Sequence, residues 1–287
     1  MGIKIVTDST SYIPKELLDK FNISVASLNV MFKSDSYKEV DIDNNWFYKK
    51  MDKENCIPTS SQPSVTEFIN IFEEGVSQGN EVLGIFITSK MSGTFQTANL
   101  AKNIILETYK DANIVLIESN SNSMELGFSV LEAARAAYRG ESFESVIERT
   151  KENINKTRFV FAPDTLKYLE KGGRIGKASS LIGSVLKIRP ILTVKKGEVI
   201  VKDKVRTTKK AVKRIVEIFI EDIEKYDYVD AIIHHINCEE EAKKIKQYIF
   251  EVTGKNVLIG SIGPVIGLHV GPGAIGMAYI TKEKIER

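Results

Sequence analysis

His269 is one of three histidines in the 287-residue chain, and it sits in the segment GPVIGLHVGPGA, Gly263 to Ala274, among four glycines and two prolines. An imidazole can donate a hydrogen bond to an anion, accept a proton, or bind a metal. The glycines, Gly267 among them, leave room for a backbone loop beside a ligand, and the prolines stiffen it. Four hydroxyl-rich stretches offer complementary chemistry: DSTS at 8–11, SSQPS at 60–64, SKMSGT at 89–94 and SNSNS at 119–123. Hydroxyls, together with backbone N–H groups at helix N-termini, hydrogen-bond an anion or a polar head group without a metal or a strong base. Ser60, and Ser92, Gly93 and Thr94 of SGT, are the candidates of this type. Taken singly, each stretch also reads as ordinary helix capping; their repetition is what points further. Arg174 in KGGRIG adds a fixed positive charge between glycines.

Other motifs fail on context. GPGAIG at 271–276 matches the dinucleotide pattern G-x-G-x-x-G, but the residues after Gly276 read as a strand and not a helix. GGRIGKAS lacks the glycine spacing of a phosphate loop, since position 171 is Lys171. His234 and His235 are neighbours in an apolar strand and face opposite sides, so they cannot easily clamp one metal; they read as structural. The serines of TSKMSGT raise nucleophile chemistry, but no G-x-S-x-G elbow is present. A serine acyl hydrolase stays open as an alternative. No metal site and no cofactor are expected.

The elements that must position these residues follow a rhythm. Apolar runs at IKIVT (3–7), EVLGIFIT (81–88) and NIVLIE (113–118) each lead into a Ser/Thr-rich loop and a helix. That alternation predicts a parallel sheet with helices on both faces, its ligand crevice at the carboxyl ends of the strands. DSTS, SKMSGT and SNSNS should then gather along one edge. ISVASLNVMF reads as one long or two short strands, and VTEFINIFEEGV puts Val65, Phe68, Ile69, Phe72 and Val76 on one helical face. Past about residue 156 the pattern changes: a strand RFVFA, a helix carrying DTLKYLEKGGRIG, a hairpin turning near Lys196-Gly197, a long amphipathic helix from Val212 to Ile223, and strands at VDAIIHH, NVLIGSI and IGMAYIT. The expectation is an α/β protein of two domains, 1–155 with the parallel sheet and 156–287 of mixed α/β structure.

The totals exclude several classes. The chain is 43% hydrophobic and 27% charged with a formal net charge of +2, which points to neither nucleic acid nor an anionic membrane. No apolar run approaches the roughly 20 residues of a membrane span. Cys56 and Cys238 lie far apart without ligand-spaced partners, which fits a reducing cytoplasm and excludes a disulfide framework. MGIKIVTDST enters a strand pattern directly, without a signal-peptide pattern.

Seven segments in order carry a resemblance: TDSTS (7–11), SSQPS (60–64), TSKMSGTFQTA (88–98), LEKGGRIG (169–176), IRPIL (188–192), VRTTKKA (205–211) and GPVIGLHVGPGAIG (263–276). In these the chain resembles the DegV family over its whole length. The resemblance implies one long-chain fatty acid buried between two α/β domains, carried for a separate ATP-binding fatty acid kinase subunit that makes an acyl phosphate for phospholipid synthesis. The bacterial carrier would not be catalytic alone. It implies that Ser60 and Ser92 hold the carboxylate with His269 close by, that the GGRI arginine is Arg174, and that the R-T arginine is Arg206. These two arginines are assigned to the partner or to incoming phosphate, since the hydroxyls and His269 already account for the head group. Two positions depart from the family pattern: Ser60 replaces a usual Thr, keeping the hydroxyl, and in the SNSNS region Glu118 and Glu125 replace a usual Asp and Gly. If that last loop lines the acyl tunnel, the added carboxylate alters chain preference. Burying a C16 chain contributes roughly 12 kcal/mol of gross driving force at ~0.8 kcal/mol per methylene, but the carboxylate must not be left bare in low dielectric. A dihydroxyacetone-kinase-like enzyme, related by fold analogy, is the other alternative.

Overall fold

The computed structural model describes residues 2–33, 35–182 and 188–286. In chain order, the first half contains β1 (Ile3–Asp8), α1 (Lys15–Lys20), β2 (Ser24–Ala26), β3 (Asn29–Phe32), β4 (Asp35–Lys38), α2 (Asn44–Glu54), β5 (Thr59–Ser61), α3 (Val65–Ser77), β6 (Glu81–Phe86), α4 (Thr94–Thr108), β7 (Ile114–Glu118), α5 (Ser123–Tyr138) and α6 (Phe143–Ile154). The second half contains β8 (Thr157–Ala162), α7 (Lys167–Lys171), β9 (Arg189–Lys195), β10 (Glu198–Val205), α8 (Thr208–Tyr226), β11 (Tyr228–His235), α9 (Glu239–Thr253), β12 (Leu258–Ser261), α10 (Pro264–Val270) and β13 (Ile275–Thr281).

Strands β2-β1-β6-β7 form a parallel sheet in that order. Alternate residues of its strands serve opposite faces. Val6, Val82 and Phe86 pack against Phe68 and Phe72 of α3 and Ala98 and Ala101 of α4. Ile5, Leu83 and Ile85 pack toward Leu126, Val130 and Leu131 of α5. With both faces covered, the strands can be almost continuously apolar. The second half carries a six-stranded mixed sheet, β10-β9-β8-β13-β11-β12, in which β11 and β12 run parallel and the other pairs antiparallel. One face lies under α8 and α9 through Ile215, Phe219, Ile245 and Ile249. The other presents Phe159, Phe161 and Ile232 to the core that contains α5. Helix α5 is thus buried between two sheets, and a single apolar cluster joins the halves.

The hairpin turns at Lys196 and Gly197, both with positive φ (51° and 82°), as a two-residue primed turn requires. ISVASLNVMF takes the form of two short strands, one of the two arrangements expected, but in different sheets: β2 joins the parallel sheet, and β3 is the centre of a small antiparallel sheet with β4 and β5. Three elements differ from the sequence-based expectation. Helix α2 has no counterpart in the sequence reading; its cap Asp43 accepts from the Trp46 N–H, and it buries Phe47, Tyr48 and Met51. The helix expected across DTLKYLEKGGRIG is only α7, ended by Gly172-Gly173, with Gly173 at φ 69°. Finally, the Gly/Pro stretch around His269 is a helix and not a loop.

Candidate functional site

Helix α10 forms against its composition because its ends are made for it. Pro264 stands at the first helical position, where its missing N–H costs nothing. The next two N–H groups are accepted by side chains from the other half of the chain: Val265 by the Glu39 carboxylate (2.9 Å) and Ile266 by Tyr12 Oη (3.3 Å). Gly271, at φ 90°, ends the helix beneath the Tyr168 ring. His269 is then fixed on a short rigid rod with its ring turned into the interior, 9% exposed.

Ser60 comes from the opposite side, in β5, paired through Val30 to the small sheet. Its Oγ lies 2.9 Å from His269 Nε2. The other ring nitrogen, Nδ1, has no hydrogen-bond partner. Gly172 packs directly on it; a Cβ there would overlap the atom. Burial, and secondarily the Arg174 charge, push the His269 pKa down to about 4, so the ring is neutral at pH 7.

The loop after β6 supplies Ser92, whose Oγ lies 2.8 Å from Thr94 Oγ1 and accepts the Thr94 N–H (3.3 Å). Arg174 donates from Nε to the Met91 carbonyl (3.0 Å) and from Nη1 to the Gly172 carbonyl (2.6 Å). It therefore bridges the two halves of the chain. Ser60, Ser92, Arg174 and His269, joined by Asn122, form the polar end of a cavity. The rest of its wall is apolar, including Leu28, Ile87, Phe159, Phe161 and Ile266. The cavity volume is about 40 Å³, so it is narrow. A second, smaller space of about 10 Å³ shares Phe159, Phe161, Ile266 and Val270 with it and continues to His234, Ile236, Ile262 and Gly276. Together they make an elongated apolar tract with a polar tip, walled by residues of both halves.

Of the residues singled out from the sequence, Ser60, Ser92, Arg174 and His269 meet at this tip. Gly93, Thr94 and Gly267 stand behind it. Gly93 caps α4 and packs on Gln62, Thr94 braces Ser92, and Gly267 faces the hydroxyl of Tyr48. Arg174, expected to serve a partner or phosphate, lines the cavity, and its charge acts on the His269 ring. Arg206 is exposed at the end of β10, away from the cavity. The three loops do gather at one sheet edge, with different outcomes. SKMSGT contributes Met91 and Ser92, and SNSNS contributes Asn122. DSTS does not line the tract; Asp8 accepts from Thr10 and the Ile87 N–H, and Ser9 donates to Glu39. Glu118 holds Thr88 and Ser89 (2.7–3.0 Å), and Glu125 accepts from Ser121, so neither carboxylate lines the tract.

Sequence reasoning missed Phe159 and Phe161 as wall residues. Their i, i+2 spacing in a strand was the available signal: the rings stack on one face, 5.0 Å apart. The Ser60–His269 pair has the reach of a nucleophile and its base. It lacks the third group, however, because Gly172 occupies the place of an orienting carboxylate at Nδ1. His234 and His235 point apart: His234 Nδ1 lies 3.1 Å from the Gly260 carbonyl, while His235 accepts from the Cys238 N–H. Among the described residues no group of three or more His, Cys, Asp or Glu could hold a metal, and no helix is long and apolar enough to cross a membrane.

Comparison with known proteins gives a consistent result. A family model described as "Uncharacterised protein, DegV family" matches residues 2–282. A DegV domain-containing protein of Clostridium acetobutylicum is 50% identical over 285 residues, 99% of this chain and 100% of that one. The crystal structure of DegV from Bacillus subtilis, described as a fatty acid binding protein, superposes with a TM-score of 0.88 at 35% identity, covering 98% of this chain and 100% of the other. A stearic-acid-binding protein from Eubacterium ventriosum gives a TM-score of 0.90 at 27% identity, covering 98% of both chains.

Proposed function

The chain belongs to the DegV family, and from that premise we propose that it binds one long-chain fatty acid in the tract between its two halves, with the carboxylate at Ser60, Ser92 and His269. The supporting observation is the tract itself: apolar along its length apart from His234, whose two nitrogens are already bonded, with hydroxyls, an amide, a guanidinium and an imidazole collected at one end. Such a distribution suits an amphiphile with a small anionic head. A neutral imidazole donates one hydrogen bond, Arg174 supplies the charge, and Ser92 lies at the positive end of α4. The tract is narrow, so the acyl chain enters with repacking of Phe159 and Phe161. The carrier acts in the cytoplasm and presents the head group to an ATP-binding kinase subunit that forms the acyl phosphate; Arg206 faces that subunit. Two domains meeting near Asn155, with the ligand between them, are part of the same reading.

The test is direct. Protein purified without detergent, then denatured and extracted, yields about one long-chain fatty acid per chain by mass spectrometry. Absence of lipid, together with no uptake of added palmitate, overturns the proposal. With ATP alone the protein makes no acyl phosphate; turnover without a partner would refute the carrier role. The 2.9 Å contact between Ser60 and His269 favours a second reading, a serine acyl hydrolase. Hydrolysis of p-nitrophenyl esters that disappears in Ser60→Ala would establish it.

A further inference from the structure

Glu39 is a carboxylate 5% exposed, on a 3₁₀ turn of the first half, and fatty acid binding makes no use of its charge. Its two oxygens are fully engaged. One accepts from Ser9 Oγ; the other accepts from Tyr12 Oη (2.9 Å) and from the Val265 N–H of α10 (2.9 Å). Tyr12 Oη also receives the Ile266 N–H. Gly263 makes this approach possible, since a Cβ there would lie 2.7 Å from both Glu39 Oε1 and the Tyr12 ring. Thus the first turn of α10 is held by side chains of the other half, more than 220 positions away in sequence.

We propose that Glu39, seconded by Tyr12, is the positioning residue of the site: it fixes the first turn of α10 and thereby sets where His269 meets Ser60 and the ligand head group. His269 lies four residues after Val265, on the same helical face, so a displacement at the first turn is carried to the ring. Helix α10 has only seven residues, and a helix this short has little stability of its own. Its composition opposes helix as well. The clamp from Glu39 and Tyr12 supplies what the sequence of α10 lacks. The groups facing Glu39 are Asp8, Tyr12 and Tyr48, none of them cationic, and burial pushes the Glu39 carboxyl up to about 7. Burial and Asp8 oppose the charge of this carboxyl, while the hydrogen bonds from Ser9, Val265 and Tyr12 favour it; what Glu39 gives α10 is the geometry of those bonds.

The inference rests on reading the cavity as a carboxylate site, and the experiment separates the two. In the full chain, ¹⁵N signals of the three histidines are recorded without ligand, and palmitate affinity is measured separately. Glu39→Ala shifts the His269 ring signals away from their Ser60-bonded position. It also weakens palmitate binding about 10- to 100-fold, the equivalent of one hydrogen bond to a charged group. Glu39→Gln keeps an oxygen for Val265 and Tyr12 and offers an amide to Ser9, so it restores both readouts to within about twofold. Should Glu39→Ala not fold, Tyr12→Phe carries the test, with a smaller shift in the same signals. Unchanged His269 signals in a folded Glu39→Ala or Tyr12→Phe chain overturn the inference, as does a Glu39→Gln chain impaired as badly as Glu39→Ala. If wild-type protein takes up no palmitate, the fatty acid reading fails while the ring signals still decide the role of Glu39.

Discussion

Two buried histidines share almost everything except their hydrogen bonds. His234 and His269 both lie in the second half, both are sequestered from solvent, and burial pushes both pKa values down to about 4. His234, near the end of β11, has a partner on each nitrogen: the Gly260 carbonyl at Nδ1 (3.1 Å) and the Met124 N–H at Nε2 (3.4 Å). The rings of Tyr12 and Phe159 stand edge-on to it. His269 has Ser60 on one nitrogen and nothing on the other, and it stands at the polar tip of the tract, whereas His234 lines the tract's apolar inner part with both nitrogens already bonded. A buried polar atom without a partner costs free energy. His234 avoids that cost; His269 bears it at Nδ1, which Gly172 covers, so a head group in the cavity would meet the ring at Nε2, beside Ser60. The depressed pKa therefore does not distinguish function from structure here; the hydrogen-bond account does.

The strongest way to break this comparison is to truncate each ring. His234→Ala removes a packed aromatic and leaves the Met124 N–H unpaired, so it should cost about 2–4 kcal/mol in urea unfolding; because the ring lines only the apolar part of the tract, it should change palmitate affinity much less than His269→Ala does. His269→Ala should cost less than about 1 kcal/mol, since it also removes an unpaired atom, yet weaken palmitate binding about 10- to 100-fold. Equal stability losses, or equal binding losses, would end the distinction.

A neighbouring glycine tests the same contrast with a smaller effect. A Cβ at Gly172 would run into His269 Nδ1, beside backbone that cannot yield; Gly172→Ala should cost about 1–3 kcal/mol and displace the ring from Ser60. Gly260 lies beside His234, but its added Cβ would stay 3.6 Å from that ring and press only on the end of Ile232. Gly260→Ala should therefore cost less than Gly172→Ala and leave the His234 ring signals in place.

These sites also mark how far the sequence can be read. The parallel sheet is legible because β1, β6 and β7 are apolar runs ended by polar loops, and the helices α3 and α8 because their buried residues recur at helical spacing. Ser60, Ser92 and His269 are legible as types and through family resemblance. Helix α10 is not, because the caps that allow it are Glu39 and Tyr12, and no local pattern reports a partner over 220 residues away. Helix α2 hides behind a polar stretch with few buried positions, Phe47, Tyr48 and Met51. Arg174 escapes for a related reason: two glycines say that the chain turns, but not toward what.

Titration offers a quieter contrast. A histidine whose folded pKa is depressed stabilises the fold above its unfolded value of about 6.5, and that contribution is lost as pH falls toward 4; His234 and His269 behave so. A carboxyl whose folded pKa is raised acts oppositely. Its contribution is complete below the unfolded value and is lost as pH rises through the folded one, about 6 for Asp8 and about 7 for Glu39. Between about pH 4.5 and 6 the two carboxyls thus offset the two histidines. Glu39→Gln removes one offsetting group, so its unfolding free energy should rise with pH more steeply than that of wild type, by up to about 1.4 kcal/mol per pH unit. Urea titrations at several pH values measure this; parallel curves for the two proteins would show that Glu39 does not titrate in that range.

The smallest expected effect separates the two histidines by a single charge. Burial is the larger cause of both depressed pKa values, but only His269 has Arg174 as a second cause; for His234 the charged neighbour is His235. Removing the guanidinium in Arg174→Gln should raise the His269 pKa above its present value of about 4, still below the ordinary histidine range because the ring stays buried, and leave His234 unmoved. An NMR titration of the three imidazoles reads both at once. A His269 that does not shift would place the Arg174 charge elsewhere in solution, away from the polar end of the tract. A His234 that shifts as much would mean that Arg174→Gln loosened the core as a whole, since the hydrogen bonds of Arg174 go to Met91 and Gly172 and not to β11.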